Sequence, residues 1–142
     1  MNDYIVRATA GEGSVRVFVA ITKEMVNKAF DIHNTTPVAT AAIGRMLTGA
    51  AMMGCMLKND TDIITIIMKG DGPLGGAVVT TDSKSRVKGY VYNPHVDIPH
   101  KENGKLDVGS AIGLGTMTIT KDLGLKEPVS SQNAYCFRRS SR

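Results

Sequence analysis

Three glycines, Gly70, Gly72 and Gly75, have the G-x-G-x-x-G spacing of a loop that binds the phosphates of a dinucleotide. Such a loop works because it opens a helix, whose first backbone N–H groups then face the phosphates. Here Pro73 turns the chain, and residues 76–81 continue as a strand-like run rather than a helix. The sequence therefore predicts a tight hairpin in which glycines supply positive φ and Pro73 fixes a turn position.

A second group with possible chemistry lies in one polar loop. His95, Asp97, His100 and Glu102 could each ligate a metal ion. Pro99 separates these candidates, and nothing in the segment indicates the supporting hydrogen bonds that hold metal ligands in place. We predict a solvated loop and no metal.

Cys55 and His33 are the remaining candidates for catalysis. A nucleophilic cysteine must be a partly exposed thiolate near a cation, whereas the methionines and leucine around Cys55 predict a buried structural thiol. His33 follows a helical pattern and is predicted to interact with the helix C-terminus. Cys136 lies far from Cys55 in sequence and forms no disulfide framework with it, which fits a reducing cytoplasm. We predict no catalytic, cofactor-binding or metal-binding residue, and no enzyme.

The elements that would position these residues follow from apolar periodicity and turn residues. Helices and antiparallel strands packed together predict an α+β domain. In the second strand, Val15, Val17, Val19 and Ile21 share one parity, as one buried sheet face requires. Thr22 is predicted to cap the helix that follows. Strands are predicted at 4–8, 14–21, 62–69, 76–81, 86–92 and 115–121, and helices at 22–33 and from 37 to 57 or 58.

The second helix is almost wholly apolar. Arg45 is the only charge between Val38 and Leu57, so the helix is predicted to lie in the core, where its small residues let other elements approach closely. A membrane span is the alternative, since about 20 apolar residues would cross a bilayer. Arg45 in mid-segment disfavours it, at a cost of roughly 2.5 to 3.5 kcal/mol on insertion scales.

The net charge of +4 would suggest a nucleic-acid partner, but its location argues otherwise. Residues 1–128 hold 14 of the 17 basic residues and all 13 acidic residues, so this part is nearly neutral. Residues 129–142 hold Arg138, Arg139 and Arg142 with four serines and no acid. We predict no nucleic-acid partner, a partial domain in residues 1–128, and an unrelated, disordered Ser/Arg-rich tail in residues 129–142.

Four segments carry a family resemblance: YIVRATAGEGSVRVFVA, TTPVATAAIGRMLTGAAMM, MKGDGPLGGAVVTTD and VGSAIGLGTMTITKDLGLKEP. In this order along the chain they resemble the heat-shock-protein-33 family, the redox-regulated holdase chaperones of the bacterial cytosol. The resemblance covers residues 1 to about 128, under half of a full-length member. It implies an incomplete N-terminal domain of that family, with a largely antiparallel sheet packed against helices.

The resemblance implies a cytoplasmic stress chaperone that binds unfolded client polypeptides, prevents their aggregation without ATP and forms a homodimer. Such binding needs accessible apolar surface rather than directional chemistry. Family members sense oxidant through a C-terminal zinc region with C-x-C and C-x-x-C motifs, and neither motif occurs here. Cys55 and Cys136 match none of the four ligands, so we predict a truncated holdase without the zinc redox switch. A small nucleotide- or metal-dependent enzyme and a non-functional remnant are the alternatives.

Overall fold

A computed structural model describes residues 2–136, which form two sheets and three helices. The strands are β1 (Tyr4–Ala10), β2 (Val15–Ile21), β3 (Ile63–Gly70), β4 (Gly76–Asp82), β5 (Val87–Val91), β6 (Leu114–Asp122) and β7 (Val129–Cys136). The helices are α1 (Lys23–His33), α2 (Pro37–Gly54) and α3 (Val108–Ile112). The predicted α+β class is confirmed, and most predicted ends agree within a residue or two. α2 ends at Gly54, a few residues earlier than predicted.

Strands β3 to β7 form an antiparallel sheet in the order β5-β4-β3-β6-β7. Ile66 of β3 lies opposite Val79 of β4 and Ile119 of β6, so these three side chains share the covered face. The other face carries Ile67 and Val78 together with Thr65 and Thr118, and it is partly exposed, as is typical of an antiparallel sheet covered on one side. The buried side chains of the covered face include Ile64, Ile66, Met68, Ala77 and Val79.

Helix α2 covers the buried face of this sheet, as its apolar composition predicts. Its small residues allow close packing on two sides. A Cβ atom at Gly54 would lie 2.5 Å from a backbone oxygen of β4, and one at Gly44 would lie 3.0 Å from the side chain of Val26 on α1. Within residues 2–136, no helix combines the length and hydropathy needed to cross a bilayer.

The β1–β2 hairpin stands apart from the larger sheet and is tied to the helices at its base. The prediction that the Thr22 side chain caps α1 is wrong, because its hydroxyl lies 2.8 Å from the hydroxyl of Thr48 on α2. The free N–H groups of Glu24 and Met25 instead donate to the Asp3 carboxylate, at 3.0 and 2.7 Å. The cap therefore comes from a residue distant in sequence, which a local pattern does not reveal.

The sequence missed α3 and β7. α3 begins after Asp107, whose carboxylate accepts from the N–H of Ser110, and this Asp-x-x-Ser spacing is the signal that was available. The disorder predicted for residues 129–136 is contradicted, because these residues pair along β6 from Val129 to Cys136. Backbone pairing satisfies N–H and C=O groups whatever the side-chain pattern. Residues 137–142 of the predicted tail lie outside the described residues, and its separation from a domain at 1–128 stays a prediction.

Candidate functional site

The glycine motif forms the turn between the antiparallel strands β3 and β4, as predicted, and it packs against α3, which was not predicted. Of its three glycines only Gly75 has positive φ, at 72°. The other two are required by close approach: a Cβ atom at Gly70 would lie 2.0 Å from the carbonyl oxygen of Ile112, and one at Gly72 would lie 2.4 Å from that of Ala111. The missing side chains therefore make room for α3.

The backbone donors of this turn are already engaged. Asp71 donates to Leu114 at 2.9 Å, Gly72 to Ile112 at 3.0 Å, Leu74 to Ala111 at 2.9 Å and Gly75 to Gly72 at 2.9 Å. A phosphate-binding loop needs such N–H groups to converge on empty space. This arrangement removes the physical basis for a nucleotide site here.

The polar loop places its candidate ligands outward. Val96 is buried in the core, so the flanking side chains of His95 and Asp97 face solvent, and His100 and Glu102 are exposed as well. The loop is held by Thr36, whose N–H donates to the Pro94 carbonyl at 2.9 Å and whose hydroxyl donates to the Val96 carbonyl. Among residues 2–136, no three His, Cys, Asp or Glu side chains are grouped closely enough to hold a metal ion.

Cys55 and His33 lie at opposite ends of the helical pair. Cys55 follows the last residue of α2 and is half-buried, so the prediction of a buried thiol is wrong. Its sulfur lies 3.1 Å from the hydroxyl of Ser85, in the gap between α2 and the β4–β5 turn. His33 is in the last turn of α1, where its predicted interaction with the helix C-terminus remains a prediction.

Three carboxylates with lowered pKa values serve turns and a helix start. The pKa of Asp62 is lowered chiefly by the N–H of Asn59, which donates to it at 3.1 Å. The pKa of Asp107 is lowered chiefly by the hydroxyl of Ser110, at 2.7 Å. Burial raises the pKa of Asp82, but hydrogen bonds and the charge of Arg86 outweigh it and leave the pKa low. These shifts report structural hydrogen bonds and do not indicate acid-base chemistry.

One face of the β1–β2 hairpin is an uninterrupted apolar surface. The antiparallel register places Val6 opposite Val19 and Ala8 opposite Val17, so residues of one parity on both strands share this face. Exposure of the larger side chains runs from 37% at Ile21 to 58% at Val19. We call it the valine face, and its members are Tyr4, Val6, Ala8, Ala10, Val15, Val17, Val19 and Ile21.

The opposite side of the hairpin is different. Its base is half-buried, while Arg7 and Arg16 are exposed towards the turn. Arg7 lies opposite Phe18, and Arg16 lies diagonally next to it opposite Thr9. Within residues 2–136 neither arginine forms an ion pair. We call this side the arginine face, made of Ile5, Arg7, Thr9, Arg16, Phe18 and Ala20.

A second apolar surface is the groove between α1 and α2, with a volume of about 760 Å³. Small residues of α2, including Gly44 and Gly49, form a shallow floor, and Phe30 of α1 forms one wall. Arg45 contributes a charge to its lining. The groove is mostly apolar, so it can also contact apolar side chains of another polypeptide.

The apolar alternation in β2 was predicted correctly, but the environment of these residues was not. Alternation shows that Val15, Val17, Val19 and Ile21 share one face, and the prediction that this face is buried is wrong. The same parity in β1, at Tyr4 and Val6, was the signal for a continuous two-stranded surface. Periodicity shows which side is apolar but cannot show which element covers it.

Known proteins match nearly the whole chain. The family model described as Hsp33 protein matches residues 3–136. A 33 kDa chaperonin of Ruminiclostridium cellulolyticum is 56% identical over 128 residues, which are 90% of this chain and 44% of the relative. The 33 kDa chaperonin of Clostridioides difficile is 54% identical over 129 residues, with the same two shares.

A solved structure agrees with these relatives. The crystal structure of the 33 kDa chaperonin (heat shock protein 33 homolog) from Thermotoga maritima has a TM-score of 0.87 and 37% identity to this chain. The match covers 92% of this chain and 44% of that one. The chain thus spans less than half the length of the relatives that it matches.

Proposed function

The chain belongs to the Hsp33 protein family, and we propose that it acts as a holding chaperone, which binds unfolded polypeptides and prevents their aggregation. The predicted family resemblance is confirmed by these matches. The names of the relatives, 33 kDa chaperonins, support the same activity here.

The observation that carries the proposal is the exposed valine face. Apolar association is non-directional and scales with the area removed from water, at about 25 cal/mol per Å². A holding chaperone needs such a surface because its clients share exposed apolar side chains and no common sequence. The eight members of the valine face include no charged residue, so unfolded clients of many sequences can contact it.

The proposed activity needs neither catalysis nor zinc. The turn amides are engaged and the polar loop presents its side chains outward, which argues against the nucleotide- and metal-dependent enzyme. The sequence contains no C-x-C or C-x-x-C motif for a family-type zinc switch. We propose that holding by these 142 residues is independent of redox state and takes place in the cytoplasm, without a nucleic-acid or membrane partner.

Light scattering of a thermally unfolding client tests the proposal. The chain is added at increasing molar ratio, with and without prior exposure to peroxide. We expect scattering to fall with dose and to the same extent in both conditions. Suppression only after peroxide would contradict redox independence, and no suppression at molar excess would leave the non-functional remnant as the better description.

Two further measurements address the alternatives. Metal analysis of the purified chain and titration with nucleotides should give no stoichiometric binding, and stoichiometric binding of either would favour the enzyme. Sedimentation over a range of concentrations tests the predicted homodimer. A monomer at all concentrations would remove that prediction and leave the holding activity intact.

A further inference from the structure

We propose that the hairpin takes up one extended client segment as an added β-strand whose residues alternate between apolar and acidic. Its apolar side chains would lie on the valine face and its carboxylates on the arginine face. This inference rests on the proposed function and names the class of client segment that the hairpin prefers.

The backbone of the hairpin is open to such a strand. β1 and β2 form a sheet of only two strands, and no backbone hydrogen bond within residues 2–136 joins the outer edge of either strand to another element. Edges of this kind carry unpaired N–H and C=O groups that template a further strand. Main-chain hydrogen bonds then give affinity without requiring a particular sequence, and alternate side chains give selectivity.

The side chains on the two faces of the hairpin determine which residues are preferred at alternate positions of the added strand. Alternate residues of an added strand fall on opposite faces of the sheet. One set would extend the valine face, where only apolar side chains are present. The other set would lie beside Arg7 when the strand is added to β1, or beside Arg16 when it is added to β2, and both arginines are exposed on the arginine face.

Charge complementarity points to carboxylates for the second set. The sequences of β1 and β2 contain no acidic residue, and the nearest one in the hairpin, Glu12, lies in the turn. Opposite charges on neighbouring strands stabilise pairing, and like charges weaken it. A segment that alternates valine with glutamate therefore fits both faces.

The same charges disfavour a second copy of the chain as the occupant. Adding β1 or β2 of another molecule to an outer edge would bring its arginines beside Arg7 and Arg16, with no acid in either strand to offset them. Charged side chains on edge strands are a common way to prevent self-pairing. Charge repulsion therefore disfavours pairing of two hairpins, whereas charge attraction favours pairing with an acidic segment.

Binding of labelled peptides by fluorescence anisotropy tests the proposal, with peptides about as long as the seven-residue strands. The first alternates valine with glutamate, the second alternates valine with lysine, and the third groups the residues of the first into two blocks. A fourth carries proline at the centre of the first. We expect the first to bind at least about threefold more tightly than each of the others at low salt. Only its advantage over the lysine peptide should shrink as salt is added, because only that difference comes from charge.

A charge-reversed variant provides the sharpest comparison. Arg7→Glu with Arg16→Glu should invert the order, so that the lysine peptide binds more tightly than the glutamate peptide. The matched control, Lys105→Glu with Lys126→Glu, changes the net charge equally at two exposed loop residues. It should keep the original order, and circular dichroism should show that both variants remain folded.

The outcomes separate this inference from the proposed function. Equal affinity for the glutamate and lysine peptides, or for the alternating and block peptides, would overturn the added-strand inference even if the chain suppresses client aggregation. Preference for the glutamate peptide without any suppression of aggregation would support the inferred site and contradict the chaperone proposal. Association of wild-type chains with one another through the hairpin, seen as a dimer in sedimentation that the glutamate peptide does not displace, would overturn the inference in favour of a second copy.

Discussion

The larger sheet with α2 and the β1–β2 hairpin use the same apolar residue types in opposite ways. Ile43 of α2 is 1% exposed and packs among side chains of the sheet, whereas Val17 of β2 is 43% exposed. Both regions have regular backbone pairing, so hydrogen bonding does not distinguish them. The difference lies in what covers the apolar face. The larger sheet with α2, which we call the packed half, supplies stability, whereas the hairpin exposes an apolar surface.

Truncating a core side chain should produce the largest effect. Ile43→Ala removes buried methyl groups and leaves a cavity, so we expect a loss of about 2 to 5 kcal/mol in the free energy of unfolding. Val17→Ala should change it much less, by no more than about 1 kcal/mol, because 43% of Val17 is already exposed and its removal leaves no closed cavity. Urea unfolding followed by circular dichroism measures both. Similar losses for the two variants would show that the valine face contributes to stability as much as the core does.

Two glycine substitutions in the packed half should act in opposite directions. Gly72→Ala brings a methyl group against carbonyl oxygens of α3, which cannot move as a flexible side chain would, so we expect a loss of about 1 to 3 kcal/mol. Gly49→Ala meets nothing within 4 Å and lies inside α2, so it should gain about 1 kcal/mol from helix propensity. The same urea experiment checks both, and a stabilising Gly72→Ala would show that the turn is loosely packed on α3.

Asp3 connects the two regions, and its removal tests that connection. Asp3→Ala leaves the N–H groups of Glu24 and Met25 without their acceptor, so we expect a loss of about 1 kcal/mol. Amide hydrogen exchange should accelerate in the first turn of α1 and in the hairpin, since an isolated two-stranded hairpin is marginally stable. Exchange in β3 and β4 should change less. Uniform acceleration throughout the chain would mean that the two regions unfold together.

Acid should weaken the packed half through its carboxylates. The pKa values of Asp62, Asp82 and Asp107 are lowered in the folded state, so the unfolded state takes up protons first as the pH falls. Their stabilisation is fully present above the unfolded value of about 3.9 and is lost as the pH drops through the lower folded values. Asp107→Asn should flatten part of this dependence in unfolding experiments between pH 5 and 2. An unchanged profile would assign the loss to other groups.

Local signals predicted most of the fold because they reflect local physics. Runs of β-branched apolar residues on either side of a Gly-Pro turn located β3 and β4, and Thr36 followed by Pro37 marked the start of α2. Apart from α3, whose local Asp-x-x-Ser signal was overlooked, the main failures involve contacts between distant segments. Asp3 caps a helix that begins twenty residues later in the chain, and β7 is held by backbone pairing to β6.

The candidate site shows the same limit. Alternation in β2 identified one strand of the valine face. Whether this face is exposed depends on what packs against the hairpin, and the residues of the face do not indicate that. Conversely, the glycine turn could be rejected as a nucleotide site from sequence, because the strand after Pro73 is a local feature. That α3 occupies its backbone donors became visible only in three dimensions.

Polar substitutions on the valine face should change stability least and function most. Val17→Ser with Val19→Ser removes apolar surface that is already exposed, so the free energy of unfolding should change by no more than about 1 kcal/mol. Suppression of client aggregation should fall, because less apolar area remains for clients to cover. The matched control, Ile32→Ser with Leu125→Ser, removes two aliphatic side chains elsewhere that are somewhat more exposed than the two valines. If the control loses as much holding activity as the face variant, total surface apolarity governs client binding and the hairpin has no special role. Loss confined to the face variant, with both unfolding curves unchanged, would separate the surface that binds from the core that folds.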